Sequence, residues 1–198
     1  RVDRRQRQMC IRDSDKSMDD IRALLFPLHI TAFCLCDALE EQSYYGASQV
    51  LIVSASSKTA IGLAQGLAET EESPKIIGIT SSNNLQFVES LGCYDQVISY
   101  DDLGSINNVS TVMVDMSGNQ EVLSAIQANL KEELIKCLTV GMTHWDKGVS
   151  VDEALAQAEL QDRTEFFFAP AHIQKRIGDW GQEGLSLIHI SEPTRLRR

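Results

Sequence analysis

Gln49-Val50-Leu51-Ile52-Val53-Ser54-Ala55-Ser56-Ser57-Lys58-Thr59-Ala60-Ile61-Gly62 is the stretch on which the fold turns. Its first half is continuously apolar over one strand length, as a parallel strand covered on both faces must be. Its second half is a small polar run followed by Ile61, Ala64, Leu67 and Ala68 at helical spacing, predicting a helix that ends near Glu71-Glu72-Ser73-Pro74. Strand, small-residue turn and amphipathic helix are the repeating unit of an α/β sheet.

The alternation continues on either side. Upstream, Ile21, Leu24, Leu25, Leu28, Ala32, Phe33, Cys36 and Leu39 predict a helix over 21–41, interrupted at Pro27. Downstream the pattern predicts a strand over 75–80, a helix over 84–91 and a strand over 96–100. A polar loop over 101–108, a strand over 111–116, a helix from 120 to about 133 and a strand over 134–140 follow. From Gly148 the pattern loosens to one acidic helix, 151–160, and the aromatic segment Phe166-Phe167-Phe168. Five or six strands separated by helices read as a Rossmann-like, doubly wound parallel sheet.

The chain has 198 residues and a net charge of −10, which suits one domain and disfavours non-specific nucleic-acid binding. No apolar run approaches the ~18–20 residues of a membrane span, so neither nucleic acid nor membrane is an expected partner. Eight basic residues fall in the first and last fourteen positions. Arg4–Ser14 resembles one translated frame of a transposase-type sequencing adapter, and Leu185–Arg195 resembles its reverse-complement counterpart. Residues 1–14 and 185–198 are therefore read as adapter-derived and set aside from the fold. What remains is 170 residues with 10 Lys and Arg against 25 Asp and Glu, or −15. It divides into an N-terminal helical segment (15–48), a Rossmann-like nucleotide-binding core (49–147) and a C-terminal extension packing on or beyond it (148–184). Cys34, Cys36, Cys93 and Cys137 have neither disulfide nor zinc spacing and read as buried reduced thiols, as in a reducing, cytoplasmic setting. No metal site is expected.

Ligands of open parallel sheets bind beyond the carboxyl ends of the strands. After the first strand, Ser54, Ser56, Ser57, Lys58, Thr59 and Gly62 form a candidate phosphate cradle at a helix N-terminus. Neither the G-x-G-x-x-G nor the Walker A pattern is met, since only Gly62 survives of the former and Ile52 and Ser57 replace both glycines of the latter. After the second strand, Thr80, Ser81, Ser82 and Asn83 carry hydroxyls and amides but no acid, which favours NADP over NAD. Ser82 or Asn83 also suits a helix N-cap.

Val50–Val53 with its turn, Ile76-Ile77-Gly78-Ile79-Thr80-Ser81-Ser82 and Phe87-Val88-Glu89-Ser90-Leu91-Gly92-Cys93-Tyr94-Asp95-Gln96-Val97-Ile98-Ser99-Tyr100 together resemble the cofactor domain of medium-chain dehydrogenase/reductases. Val112-Met113-Val114-Asp115-Met116-Ser117-Gly118 resembles its fourth strand and loop. Cys93-Tyr94 and a longer first turn depart from that superfamily. With Gly141-Met142-Thr143-His144-Trp145 and Phe166–Ala171, they resemble more closely a related family of unknown function.

The resemblance implies that Gly141 and Thr143 line a nicotinamide pocket, with His144 as a candidate proton donor and Trp145 walling the ring. Asp115 and Ser117 stand at the fourth strand end, where Asp115 equally suits a loop cap. His172, Lys175 and Arg176 read either as a solvated helix face after Pro170 or as a basic patch for the 2′-phosphate or an acidic substrate. It further implies an NADP-dependent oxidoreductase acting on an enone, quinone or carbonyl compound, and a cofactor domain without its N-terminal barrel. The alternatives are a non-catalytic Rossmann-like scaffold associating through its sheet edge and a module for another nucleotide-like ligand such as adenosylmethionine. The small-molecule substrate is not specified, and a homodimer is compatible with the fold.

Overall fold

The structure is a computed structural model and describes residues 19–140 and 163–180. Helix α1 (Asp19–Glu41) leads into a left-handed turn at Ser43–Gly46 and strand β1 (Gln49–Val53). Helix α2 (Lys58–Ala68), β2 (Lys75–Thr80), α3 (Leu85–Ser90) and β3 (Gln96–Ser99) follow. The chain continues with β4 (Thr111–Asp115), α4 (Gln120–Leu130), β5 (Leu134–Val140), β6 (Thr164–Phe167) and a helix, α5, over 169–180.

The six strands form one sheet in the order β3-β2-β1-β4-β5-β6, every pair parallel. This is the doubly wound order, whose direction of winding reverses between β1 and β4. Residues of β1 alternate between two cores. Val50 and Ile52 pack with Leu35, Leu39, Leu63 and Leu67 of α1 and α2 on one face. Leu51 and Val53 pack with Leu123, Ile126 and Leu130 of α4 on the other. Val50, Leu51, Ile52 and Val53 are all fully buried, which explains the unbroken apolar run.

Helix α1 passes through Pro27 instead of breaking there. The missing amide costs a hydrogen bond, but burial of Ala32, Leu35 and Leu39 holds the helix beyond it. Two glycines let α2 approach closely. A Cβ on Gly62 would sit 3.0 Å from the Ala32 Cβ, and one on Gly66 would sit 3.3 Å from Cys36 Sγ.

Strand ends shift where local geometry takes over. Ser54 leaves β1 because its φ is 67°, and Tyr100 leaves β3 because Ser99 caps the 3-10 turn that follows. Lys131, with φ 49°, stops α4 before the expected 133. The aromatic segment after 163 supplies β6, an edge strand whose short TEFF sequence lacks the apolar run that marks β1, β2 and β4. The helix expected over 151–160 lies outside the described residues, as do both end runs. Cys34, Cys36, Cys93 and Cys137 are buried free thiols. Among the described residues no helix is long and apolar enough to cross a membrane.

Candidate functional site

The carboxyl ends of β1, β2 and β4 converge where the winding reverses. The turn after β1 opens on Ser54 in the left-handed region, a position that ordinarily selects glycine. The Ser57 N–H donates to the Ser54 carbonyl at 2.9 Å and closes the turn. Ser57 then caps α2, its Oγ accepting from the Ala60 N–H at 3.3 Å. The same hydroxyl lies 3.7 Å from Met116 Sδ, tying the helix start to the chain leaving β4.

Ser56 faces the other way. Its Oγ accepts from Asn84 Nδ2 at 3.1 Å and from Thr80 Oγ1 at 3.3 Å. The turn is also buttressed from β2 and the chain before β3. Tyr94 Oη donates to the Ala55 carbonyl at 2.9 Å, and a Cβ on Gly78 would meet Tyr94 Cδ1 at 2.8 Å. Tyr100 hydrogen-bonds Ser54, and burial pushes its hydroxyl pKa above the ordinary value.

The Ser57 hydroxyl donates into the fold, whereas Ser56 Oγ accepts from Asn84 and Thr80 and keeps its own hydrogen, so the turn offers an anion backbone, charge and one hydroxyl. Lys58 and Thr59, at the first two positions of α2, have N–H groups without acceptors inside the helix, and the exposed Lys58 adds a cation. This donor set fits the pyrophosphate of a dinucleotide. Gly62 contributes elsewhere, since its missing side chain makes room for Ala32 on α1.

Asp115 is 2% exposed and its carboxylate serves its own loop. It accepts from the Ser117 N–H at 2.9 Å, Ser117 Oγ at 2.7 Å and the Gly118 N–H at 3.2 Å. The chain after β4 therefore presents backbone at the reversal point. At the end of β2, Thr80 is buried and Ser81, Ser82 and Asn83 begin the next connection. Ser82 Oγ donates to the Asp101 carboxylate and lies 2.9 Å from Ser99 Oγ.

Gly141, Thr143, His144 and Trp145 lie outside the described residues. His172, Lys175 and Arg176 do not form a patch turned toward an anionic ligand. His172 Nε2 and Arg176 Nε each stand 2.6 Å from Asp37 Oδ2, and Lys175 Nζ stands 2.6 Å from Glu41 Oε2. The three side chains fasten α5 to α1. Tyr94, Asn84, Tyr100 and Asp101 are the site residues that sequence reasoning did not select. A glycine inside the apolar β2, Gly78, was the one signal for the first, because such a glycine marks close approach. Among the described residues no group of three or more His, Cys, Asp or Glu is placed to hold a metal ion.

Solved structures share this architecture. A protein from Mesorhizobium loti named as a candidate NADPH:quinone reductase matches with a TM-score of 0.60 at 14% identity, over 85% of this chain and 49% of its own. CurA from Vibrio vulnificus, solved in complex with NADPH, matches at 0.52 and 15% identity, over 82% and 51%. The D-arabinose dehydrogenase from Sulfolobus solfataricus matches at 0.50 and 19% identity, over 70% and 42%. The chain thus spans about half the length of these proteins, and the likeness is one of fold. No curated protein matches the sequence. A family model described as protein of unknown function (DUF2855) matches residues 4–188, including residues 4–14 and 185–188 of the two end runs. The chain belongs to the DUF2855 family.

Proposed function

We propose that this chain is the dinucleotide-binding part of a nicotinamide-dependent oxidoreductase. The observation that carries the reading is the α2 N-terminus at the winding reversal, where the Lys58 and Thr59 N–H groups and the Lys58 ammonium form an anion site behind a turn braced by Tyr94. The pyrophosphate would lie against this site, and the adenosine ribose would fall beyond β2 near Thr80–Asn83. The loop over Asp115–Asn119 would present its backbone to the nicotinamide half. The bound cofactor supplies the hydride, and an enone, quinone or carbonyl substrate would accept it.

Of the two cofactor forms, an acid-free 80–83 loop favours NADP, and CurA was solved with NADPH. Asp101, bonded to Ser82, opposes it. Titration of the full chain with reduced nicotinamide dinucleotides, read by nicotinamide fluorescence, tests the reading. Saturable binding supports it; failure of both forms to bind below about millimolar, a level near 4 kcal/mol of affinity, returns the chain to a non-catalytic scaffold.

A further inference from the structure

We propose that Asp101 is the residue by which this site separates the two nicotinamide dinucleotides, and that it selects NAD(H) against the 2′-phosphorylated form. The inference rests on the dinucleotide reading above.

In a doubly wound sheet the acid that holds the ribose hydroxyls ordinarily stands at the end of the second strand. Residues 80–84 contain none. In space, however, the loop after β3 supplies one. The Ser82 hydroxyl donates to Asp101 Oδ2, and Ser99 Oγ donates to the same oxygen at 3.2 Å. The Asp101 N–H returns a 3.2 Å hydrogen bond to Ser99 Oγ, which pins the acid across the ends of β2 and β3.

Two consequences follow for a ribose placed there. A hydroxyl has one hydrogen to give. Ser82 spends its own on the carboxylate, and Ser99 spends its own on the carboxylate or on Ser82 Oγ, 2.9 Å away, so neither has one left for a phosphate. A 2′-phosphate, which carries nearly two charges at neutral pH, would instead face an anion, whereas a ribose 2′-hydroxyl can donate to that same oxygen.

Among the described residues no cation forms an ion pair with Asp101. Residues 76–130, which run from the second residue of β2 to the end of α4, contain no Lys, Arg or His. They contain six acids: Glu89, Asp95, Asp101, Asp102, Asp115 and Glu121. Lys58, at the start of α2, is taken by the pyrophosphate. The 80–83 loop by itself favours NADP, and Asp101, 19 positions beyond Ser82, puts a negative charge beside it.

The test is a fluorescence titration of NADH and NADPH, at one ionic strength, against the full chain and two variants. Asp101→Asn removes the charge at an exposed position, and Asp102→Asn removes an equal charge from the adjacent exposed residue. The wild type is expected to bind NADH about tenfold more tightly than NADPH, and Asp101→Asn to move that ratio about tenfold toward NADPH. Asp102→Asn is expected to leave the ratio in place. A wild type that prefers NADPH overturns the inference, as does a ratio that Asp101→Asn leaves unmoved or that both variants shift equally, and in each case the dinucleotide reading stands. Binding of neither form overturns both.

Discussion

Tyr94 Oη donates a 2.9 Å hydrogen bond to the Ala55 carbonyl, so a residue just before β3 holds the turn after β1. The ring reaches Ala55 only because Gly78 between them has no side chain; a Cβ there would meet Tyr94 Cδ1 at 2.8 Å and the Ala55 Cβ at 3.0 Å. Gly78→Ala is expected to cost about 1–3 kcal/mol of stability, because neither neighbour is the free end of a flexible chain. Tyr94→Phe keeps the ring and loses the hydrogen bond, at about 1 kcal/mol. Urea unfolding of both variants checks the order. A Gly78→Ala protein as stable as wild type would show that the ring is not fixed against β2.

Lys58 is the exposed first residue of α2, and its ammonium is the one side-chain charge in the candidate pyrophosphate cradle. Lys58→Ala is expected to weaken dinucleotide binding roughly fivefold, the size of about 1 kcal/mol for a solvent-exposed charge contact. The effect should shrink as salt is raised. Equal affinity of variant and wild type at low salt would return Lys58 to an ordinary surface charge.

Sequence periodicity reached the sheet because its strands are buried on both faces. The apolar runs of β1, β2 and β4 leave little freedom in placing them, and the ends of β2 and β5 fall at 80 and 140 as read. Strand β6 escaped because an exposed edge strand with the pattern TEFF carries no such signature. The site was legible by position and not by contact. Ser56 and Ser57 sit in the right turn, yet their hydroxyls go to Asn84, Thr80 and Met116, partners supplied by other strands. Charges misled for the same reason. His172 and Arg176 find Asp37 more than 130 residues away, a pairing that no local pattern reveals.

The buried thiols make the fold sensitive to alkali. Burial pushes Cys34 up to about 11 and Cys36 and Cys137 up to about 12, from an ordinary value of 9.0. Neighbouring Asp37 raises Cys34 further, Glu40 raises Cys36 and Asp115 raises Cys137. The folded state therefore keeps protons that the unfolded chain releases above pH 9. The linked stability is whole below that value and is lost as pH rises from about 9 toward 11–12. Urea midpoints measured from pH 7 to 10.5 are expected to fall at the upper end. Thiol reagents at pH 8 are expected to label these three cysteines, and the buried Cys93, only upon unfolding. Rapid labelling of Cys36 or Cys137 in the native protein would contradict their burial.

The contact between α1 and α5 gives the last expectation, because it concentrates several charges on one carboxylate. Asp37 Oδ2 stands 2.6 Å from both His172 Nε2 and Arg176 Nε, whose side chains are only 10% and 12% exposed. Asp37→Ala strands both partners in a largely buried setting and is expected to cost about 1–3 kcal/mol. Glu41→Gln should cost less, since its main partner Lys175 is half exposed and water can replace the contact. The hydrogen bond from Lys175 holds the Glu41 carboxyl below its ordinary 4.5. Its contribution is therefore complete above that pH and is lost as the solution is acidified below it. Amide hydrogen exchange separates a local from a global effect. If the ion cluster fastens α5, Asp37→Ala should speed exchange over 169–180 well before it touches the amides of β1 and β4. Uniform acceleration across the sheet would mean instead that the cluster supports the core through α1, whose Leu35 and Leu39 pack directly beneath β1.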